Sequence, residues 1–120
     1  MKSLLIVFSI VLLSGCSTIK KYWPRAHDPV LVEHWVTVSI AVDDVDCAAE
    51  QRGWDRVVLP AQKLWMLADL REDPQSENLH GLLEHTKKMS KGGSKMFCEI
   101  GKNTAKQRLQ AARSAWDGLS

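Results

Sequence analysis

The chain has little with which to do chemistry. Its 120 residues include three cysteines, four histidines, one tyrosine and two phenylalanines. No glycine-rich phosphate loop follows a strand pattern, and G-x-S-x-G, H-E-x-x-H and C-x-x-C are absent. These absences remove the backbone cradle for phosphate, the serine held on a strained turn, the paired imidazoles of a zinc hydrolase and the dithiol redox pair. His27 and His34 stand alone, and His80 and His85 are five apart, about 140° round a helix, so they do not chelate from one face. The expectation is a protein that is not an enzyme; Glu33 and His34 are the titrating residues on which a catalytic alternative rests. Asp43, Asp44, Asp46 and Glu50 are grouped as hard-cation ligands can be. Their spacing is not that of a calcium loop and no glycine lies among them, so neither metal nor other cofactor is expected. Internal repeats and low-complexity tracts are missing too. The longest apolar run, Leu4 to Leu13, falls short of the roughly 20 residues that span a bilayer as a helix.

Charge is spread unevenly. From Ala26 to Glu84 there are four Lys or Arg against twelve Asp or Glu, and from His85 to Ser120 eight against two. Halves of opposite sign favour a fold that packs one against the other. The plain reading is solvated helix faces; the functional one is a basic face near the C-terminus that meets an acidic partner or anionic head groups. Nucleic acid is not expected, because the basic helix lacks interleaved aromatic residues apart from Phe97 and Trp116 and the start of the chain has the pattern of an export signal.

That signal occupies the start. Lys2 precedes the apolar run, which closes on Leu13-Ser14-Gly15-Cys16. The run has the length of a secretory h-region, and the ending resembles the lipobox of bacterial lipoproteins. The resemblance covers Met1 to about Ser17. It implies that residues 1–15 are a cleaved signal peptide and that Cys16 becomes the first mature residue. Cys16 would carry a diacylglycerol on its thiol and a further fatty acyl chain, of the palmitate class, on its amine. Two or more acyl chains hold a protein stably on a membrane. Ser17, in place of the Asp that resembles an inner-membrane retention signal, implies the periplasmic face of the outer membrane. Residues 16–26 then form a membrane-proximal tether, in which Lys20, Lys21, Arg25, Tyr22 and Trp23 suit the head-group level.

Residues 27–120 read as one helical domain. Asp28-Pro29 is a start signal, an N-cap followed by the first helical position. Leu31, Trp35, Val38, Val42, Val45 and Ala49 then recur at helical spacing. A rival pattern alternates Val36, Val38, Ile40 and Val42 with small and polar residues, as in a strand. The helix is preferred because its stripe runs longer and has a start signal. After Gly53, a second stripe joins Trp54, Val57, Val58, Ala61, Leu64, Trp65 and Ala68, with a helix that starts near Leu59 or kinks at Pro60. Asp73-Pro74 repeats the start signal for a third stripe, Leu79, Leu82, Leu83, Thr86 and Met89. Ser90 to Ser94, with two glycines, stops it. The fourth helix runs from Lys95, with Cys98, Gly101, Ala105, Leu109 (or Ala112) and Trp116 on its inner side and Phe97, Ile100 and Thr104 flanking.

The predicted architecture is therefore all-α: a small bundle of about four helices. With Cys16 assigned to lipid, Cys47 and Cys98 remain as an even pair in an oxidising compartment, and a disulfide is expected between them. It would join the late part of helix one to the early part of helix four. Lys102, Lys106, Arg108 and Arg113 are the expected partner-binding face. The function these features point to is contact with an envelope protein, in a structural or interaction role. By size and anchor the chain also resembles small lipoproteins carried by bacteriophages, among them outer spanins, which act in lysis, and superinfection-exclusion proteins. Outer spanins are usually proline-rich and extended, whereas three of the four prolines here sit at or near helix starts. A periplasmic inhibitor of a cell-wall hydrolase is a further reading of the binding class.

Overall fold

Among the described residues, the acidic and basic halves of the chain fold against each other through four helices. The computed structural model describes residues 28–118; the lipobox, Cys16, the tether and His27 lie outside the described residues. α1 is Pro29–Asp43, α2 Asp55–Leu70, α3 Ser76–Ser90 and α4 Lys95–Gly118. α1 packs on α2 and α4, α2 on α3, and α3 on α4, so the helices form a ring in chain order. Each neighbouring pair is antiparallel. Asp28 at the start of α1 pairs with Arg71 just past the end of α2. Ser76 at the start of α3 reaches Asp69 near the end of α2 at 3.2 Å. Asn78 early in α3 meets Arg108 late in α4, and Lys88 late in α3 lies over Phe97 early in α4. The connections, 44–54, 71–75 and 91–94, are short enough to force this up-down-up-down order.

The core lies along the bundle axis. All five residues of the α3 stripe are buried, as their spacing predicts, and in α4 both Leu109 and Ala112 are buried alongside Cys98, Gly101, Ala105 and Trp116. In α2, Val57, Ala61, Leu64 and Ala68 face inward, with Val58, Trp65 and Leu67 half-buried beside them. At Gly101, α4 lies against α3 so tightly that a Cβ would run into the thioether of Met89.

α1 is a helix through the whole Val36–Val42 stretch, and the strand alternative is not realised. Asp28 caps it as expected, its Oδ1 accepting from Val30 N at 3.2 Å and Leu31 N at 3.3 Å. It ends at Asp43, however, six residues before Ala49, where the stripe stops. Two devices end it there. Asp46 N donates to Arg52 O at 3.0 Å, and Asp46 Oδ1 accepts from Ala48 N at 3.0 Å, so the carboxylate closes a local turn. Lys102 Nζ donates to Asp43 O at 3.0 Å and Val45 O at 2.7 Å, supplying carbonyls at and just past the helix end with a donor from α4. Cys47 therefore lies in the loop after α1 and not in the helix.

α2 begins at Asp55, earlier than Pro60 suggests, and carries that proline as its sixth residue. So close to the start, the missing N–H costs one ladder bond, to the carbonyl of Arg56, an exposed residue. α3 begins at Ser76, two residues after Pro74. Asp73 is not free to start the helix because it also finishes the previous one. Its N–H donates to Ala68 O at 2.9 Å while Glu72 N donates to Asp69 O at 3.0 Å, the bond pattern of a Schellman cap. Glu72 holds the left-handed position, φ 52°, which glycine usually takes. The buried Asp73 carboxylate then accepts from Gln75 N at 2.8 Å and from the indole of Trp116 at 3.1 Å, tying this turn to the end of α4.

Candidate functional site

The four basic residues singled out on α4 do not share one face. A step of six residues turns a helix by about 240° beyond a full turn, so Arg108 stands about 120° from Lys102. Lys102, Lys106 and Arg113 flank α1, and Arg108 flanks α3. Each is engaged inside the bundle. Lys102 holds the end of α1, as above. Lys106 pairs with Asp43 at 3.2 Å, the one member of the carboxylate group that meets the basic helix through its side chain. Arg113 lies 5.8 Å from the ring centre of Trp35 and 3.3 Å from Asp117. Trp35 in turn donates to Leu109 O at 2.8 Å. Arg108 exchanges hydrogen bonds with Asn78: its guanidinium donates to Asn78 Oδ1 at 3.1 Å, and Asn78 Nδ2 donates to Arg108 O at 3.0 Å. Half of the Lys106 side chain remains open to solvent, and about a third of that of Arg113.

The side of α4 turned away from the core begins with an apolar tip. Met96 is 71% exposed, Ile100 60% and Phe97 36%. Met96 and Ile100 are four apart and so neighbours on the helix surface. The tip is rigidly backed. Ser94 Oγ accepts from Phe97 N at 3.0 Å to cap α4, and Cys98 between them is bonded to Cys47, with Cα atoms 5.7 Å apart. Arg52 Nη1 donates to Gly93 O at 2.7 Å and Ser94 O at 3.3 Å, clamping the 91–94 connection to the 44–54 loop. Gly92 and Gly93, at φ 100° and 149°, give that connection its course. Beside it lies an open cleft of about 610 Å³ lined by Glu50, Arg52, Gly53, Arg56 and Gly93 among others.

The sequence stripe placed Phe97 and Ile100 as flanking residues of α4 and left out Met96. Met96 and Ile100 stand opposite the Cys98–Trp116 stripe, two residues either side of Cys98, and that position was the available signal. Arg52 carried no local signal, since its partners are main-chain carbonyls 41 and 42 residues away. Trp54 is buried, and Trp65 is half-buried with its ring 4.7 Å from that of His80. His85 Nε2 lies 2.8 Å from Gly101 O across the α3–α4 contact. Glu33 is exposed and its carbonyl accepts from Thr37, while the half-buried His34 lies beside it; neither lines the cleft. Among the described residues, no group of three or more His, Cys, Asp or Glu is placed to hold a metal ion, and no helix is long and apolar enough to cross a membrane. Set against known protein families, curated proteins and solved structures, the chain matches none.

Proposed function

We propose that the chain is a lipid-anchored lipoprotein of the outer membrane, facing the periplasm, that works by contact with an envelope protein through the exposed start of α4. The apolar tip of Met96, Phe97 and Ile100 carries this reading. Three large apolar side chains stand in solvent beside a well-filled core, and clustered exposure of this kind marks contact surfaces. A capped helix end, a disulfide and the Arg52 clamp hold the tip in one shape, which lowers the ordering cost of binding. Exposed Lys95 and Glu99 flank the tip and Lys88 lies 5.8 Å from the ring centre of Phe97, so the matching partner surface is apolar at its centre and charged at its edge.

The anchor suits this arrangement. From Cys16 the tether to Asp28 spans at most about 40 Å when extended. It would enter at the start of α1, and the antiparallel order puts the start of α4 at the other end of the bundle. The tip would then face away from the membrane that holds the chain.

The test is crosslinking of the mature acylated protein in bacterial envelopes, with captured proteins identified by mass spectrometry. Two variants run beside it, M96D/I100D and K106A/R113A. A partner captured by the wild type and lost with M96D/I100D supports the tip; loss with K106A/R113A alone moves the contact to the basic flank. No specific partner for an acylated, folded chain sinks the contact reading. The partner's identity separates the narrower roles: a cell-wall hydrolase, a bacteriophage receptor, or an inner-membrane lysis subunit.

A further inference from the structure

The two halves of the Cys47–Cys98 bridge are unlike. Cys98 has no accessible surface and belongs to the core, whereas Cys47 is half-buried in the 44–54 loop. Trp54, itself buried, donates its indole N–H to Cys98 Sγ at 3.3 Å. That indole packs at right angles to the ring of His85, centroids 6.2 Å apart, and His85 is fixed in turn by its contact with Gly101 O. A sulfur in a disulfide is a weak acceptor and a thiolate is a strong one. A hydrogen bond to a charged form favours that form. The indole therefore stabilises Cys98 more as a departing thiolate than as half of the bridge. Burial alone disfavours a charged sulfur, and the donor already in place offsets it, together with the first turn of α4.

We propose that this bridge is a thiol-exchange site with a fixed direction, opened at Cys47 and released at Cys98. An incoming thiolate attacks Cys47 Sγ in line with the S–S bond. That bond breaks, and its electron pair leaves on Cys98 Sγ beneath the Trp54 N–H. The products are a mixed disulfide on Cys47 and one thiolate at Cys98, which later takes a proton from water. The reverse attack, on Cys98, has no approach, because the core covers that sulfur. The co-reactant is a small thiol or the dithiol of an exchange protein. With a dithiol, its second thiolate attacks its own sulfur in the mixed disulfide and frees Cys47. The bridge is then reduced by two electrons and the dithiol oxidised by two; run backwards, the same steps close the bridge. Cys47 can take up the partner without breaking a helix, since its loop lies outside α1 and α2.

The experiment is brief exposure of the full oxidised chain to glutathione under native conditions, acid quench, trypsin digestion and mass spectrometry. Cleavage after Arg25 and Arg52 isolates Cys47, and cleavage after Lys95 and Lys102 isolates Cys98, both apart from Cys16. The expected result is a glutathione adduct on the Cys47 peptide about tenfold or more above that on the Cys98 peptide. The variant W54F tests the donor: exchange at Cys47 should slow by about tenfold. A loosened core would speed exchange, so slowing is not explained by lost packing. An adduct shared equally or favouring Cys98 overturns the proposal, as does a native bridge that glutathione leaves intact until the chain is denatured. Unchanged or faster exchange in W54F overturns the role given to the indole.

Discussion

Reducing the Cys47–Cys98 bridge should remove a large part of the domain's stability. The cysteines are 51 residues apart in sequence, and closing a loop of that length is worth about 4 kcal/mol in the chain-entropy model. A domain of about 90 residues has on the order of 5–14 kcal/mol in total, so reduction should remove more than about a quarter. Reduction is a cleaner perturbation than substitution. C47A/C98A also takes the sulfur from the Trp54 N–H, which adds about 1–3 kcal/mol for a buried donor left without its acceptor. The assay is urea unfolding followed by circular dichroism, with and without reductant. For a slope of about 1–1.5 kcal/mol per molar urea, the midpoint should fall by roughly 3–4 M on reduction, and further in C47A/C98A. The slope itself should rise on reduction, because an unfolded chain without the bridge exposes more surface. A loss below about 1 kcal/mol would refute the reasoning: the bridge would then constrain nothing that the four packed helices do not already fix.

The two lysines beside α1 should separate under mutation. Lys102→Ala leaves Asp43 O and Val45 O without their donor and should cost about 1–2 kcal/mol; Lys106→Ala breaks an exposed pair with Asp43 and should cost less than about 0.5 kcal/mol in the same unfolding assay. Glu72→Gly should stabilise the domain by about 0.5–1 kcal/mol, because glycine takes the left-handed position of the α2 cap without strain. Gly101→Ala should destabilise by about 1–3 kcal/mol despite a better helix propensity, since its Cβ meets Met89. A double-mutant cycle with Met89→Ala should show favourable coupling of about 1 kcal/mol, and simple additivity would disprove the contact.

The fold was legible where a local signal and a global contact agree. Asp28-Pro29 starts α1, and the stripe from Cys98 to Trp116 is buried at every position named. Pairing of Cys47 with Cys98 followed from counting cysteines, and helices one and four do pack together. The end of α1 misled because Val45 stays buried in the turn beyond it, so apolar spacing outlasts the helix. Asp73-Pro74 misled because Asp73 is shared between the cap of α2 and the entrance to α3, a double use that only the assembled turn reveals. Pro60 looked like a start because propensity counts its cost at full strength, whereas near the beginning of α2 only one ladder bond, to exposed Arg56, is lost. For the site, the charge of α4 was plain in the sequence but its use was not. Helical geometry already separates Arg108 from Lys102, while the partners of Lys102 are main-chain carbonyls with no signature in the sequence. The tip at Met96 and Ile100 was readable as the outward side of the same helix.

The proposed anchor, from which the orientation of the tip follows, is open to one direct measurement. The protein is expressed in a bacterium with an outer membrane, the membranes are separated, and the N-terminal peptide ending at Lys20 is weighed by mass spectrometry beside a Cys16→Ala variant. The expected result is a peptide that begins at Cys16 and carries diacylglyceryl and N-acyl groups, found in the outer-membrane fraction and lost from membranes in Cys16→Ala. A chain that keeps Met1 and has an unmodified Cys16 would contradict the anchored reading and leave the bundle without its address.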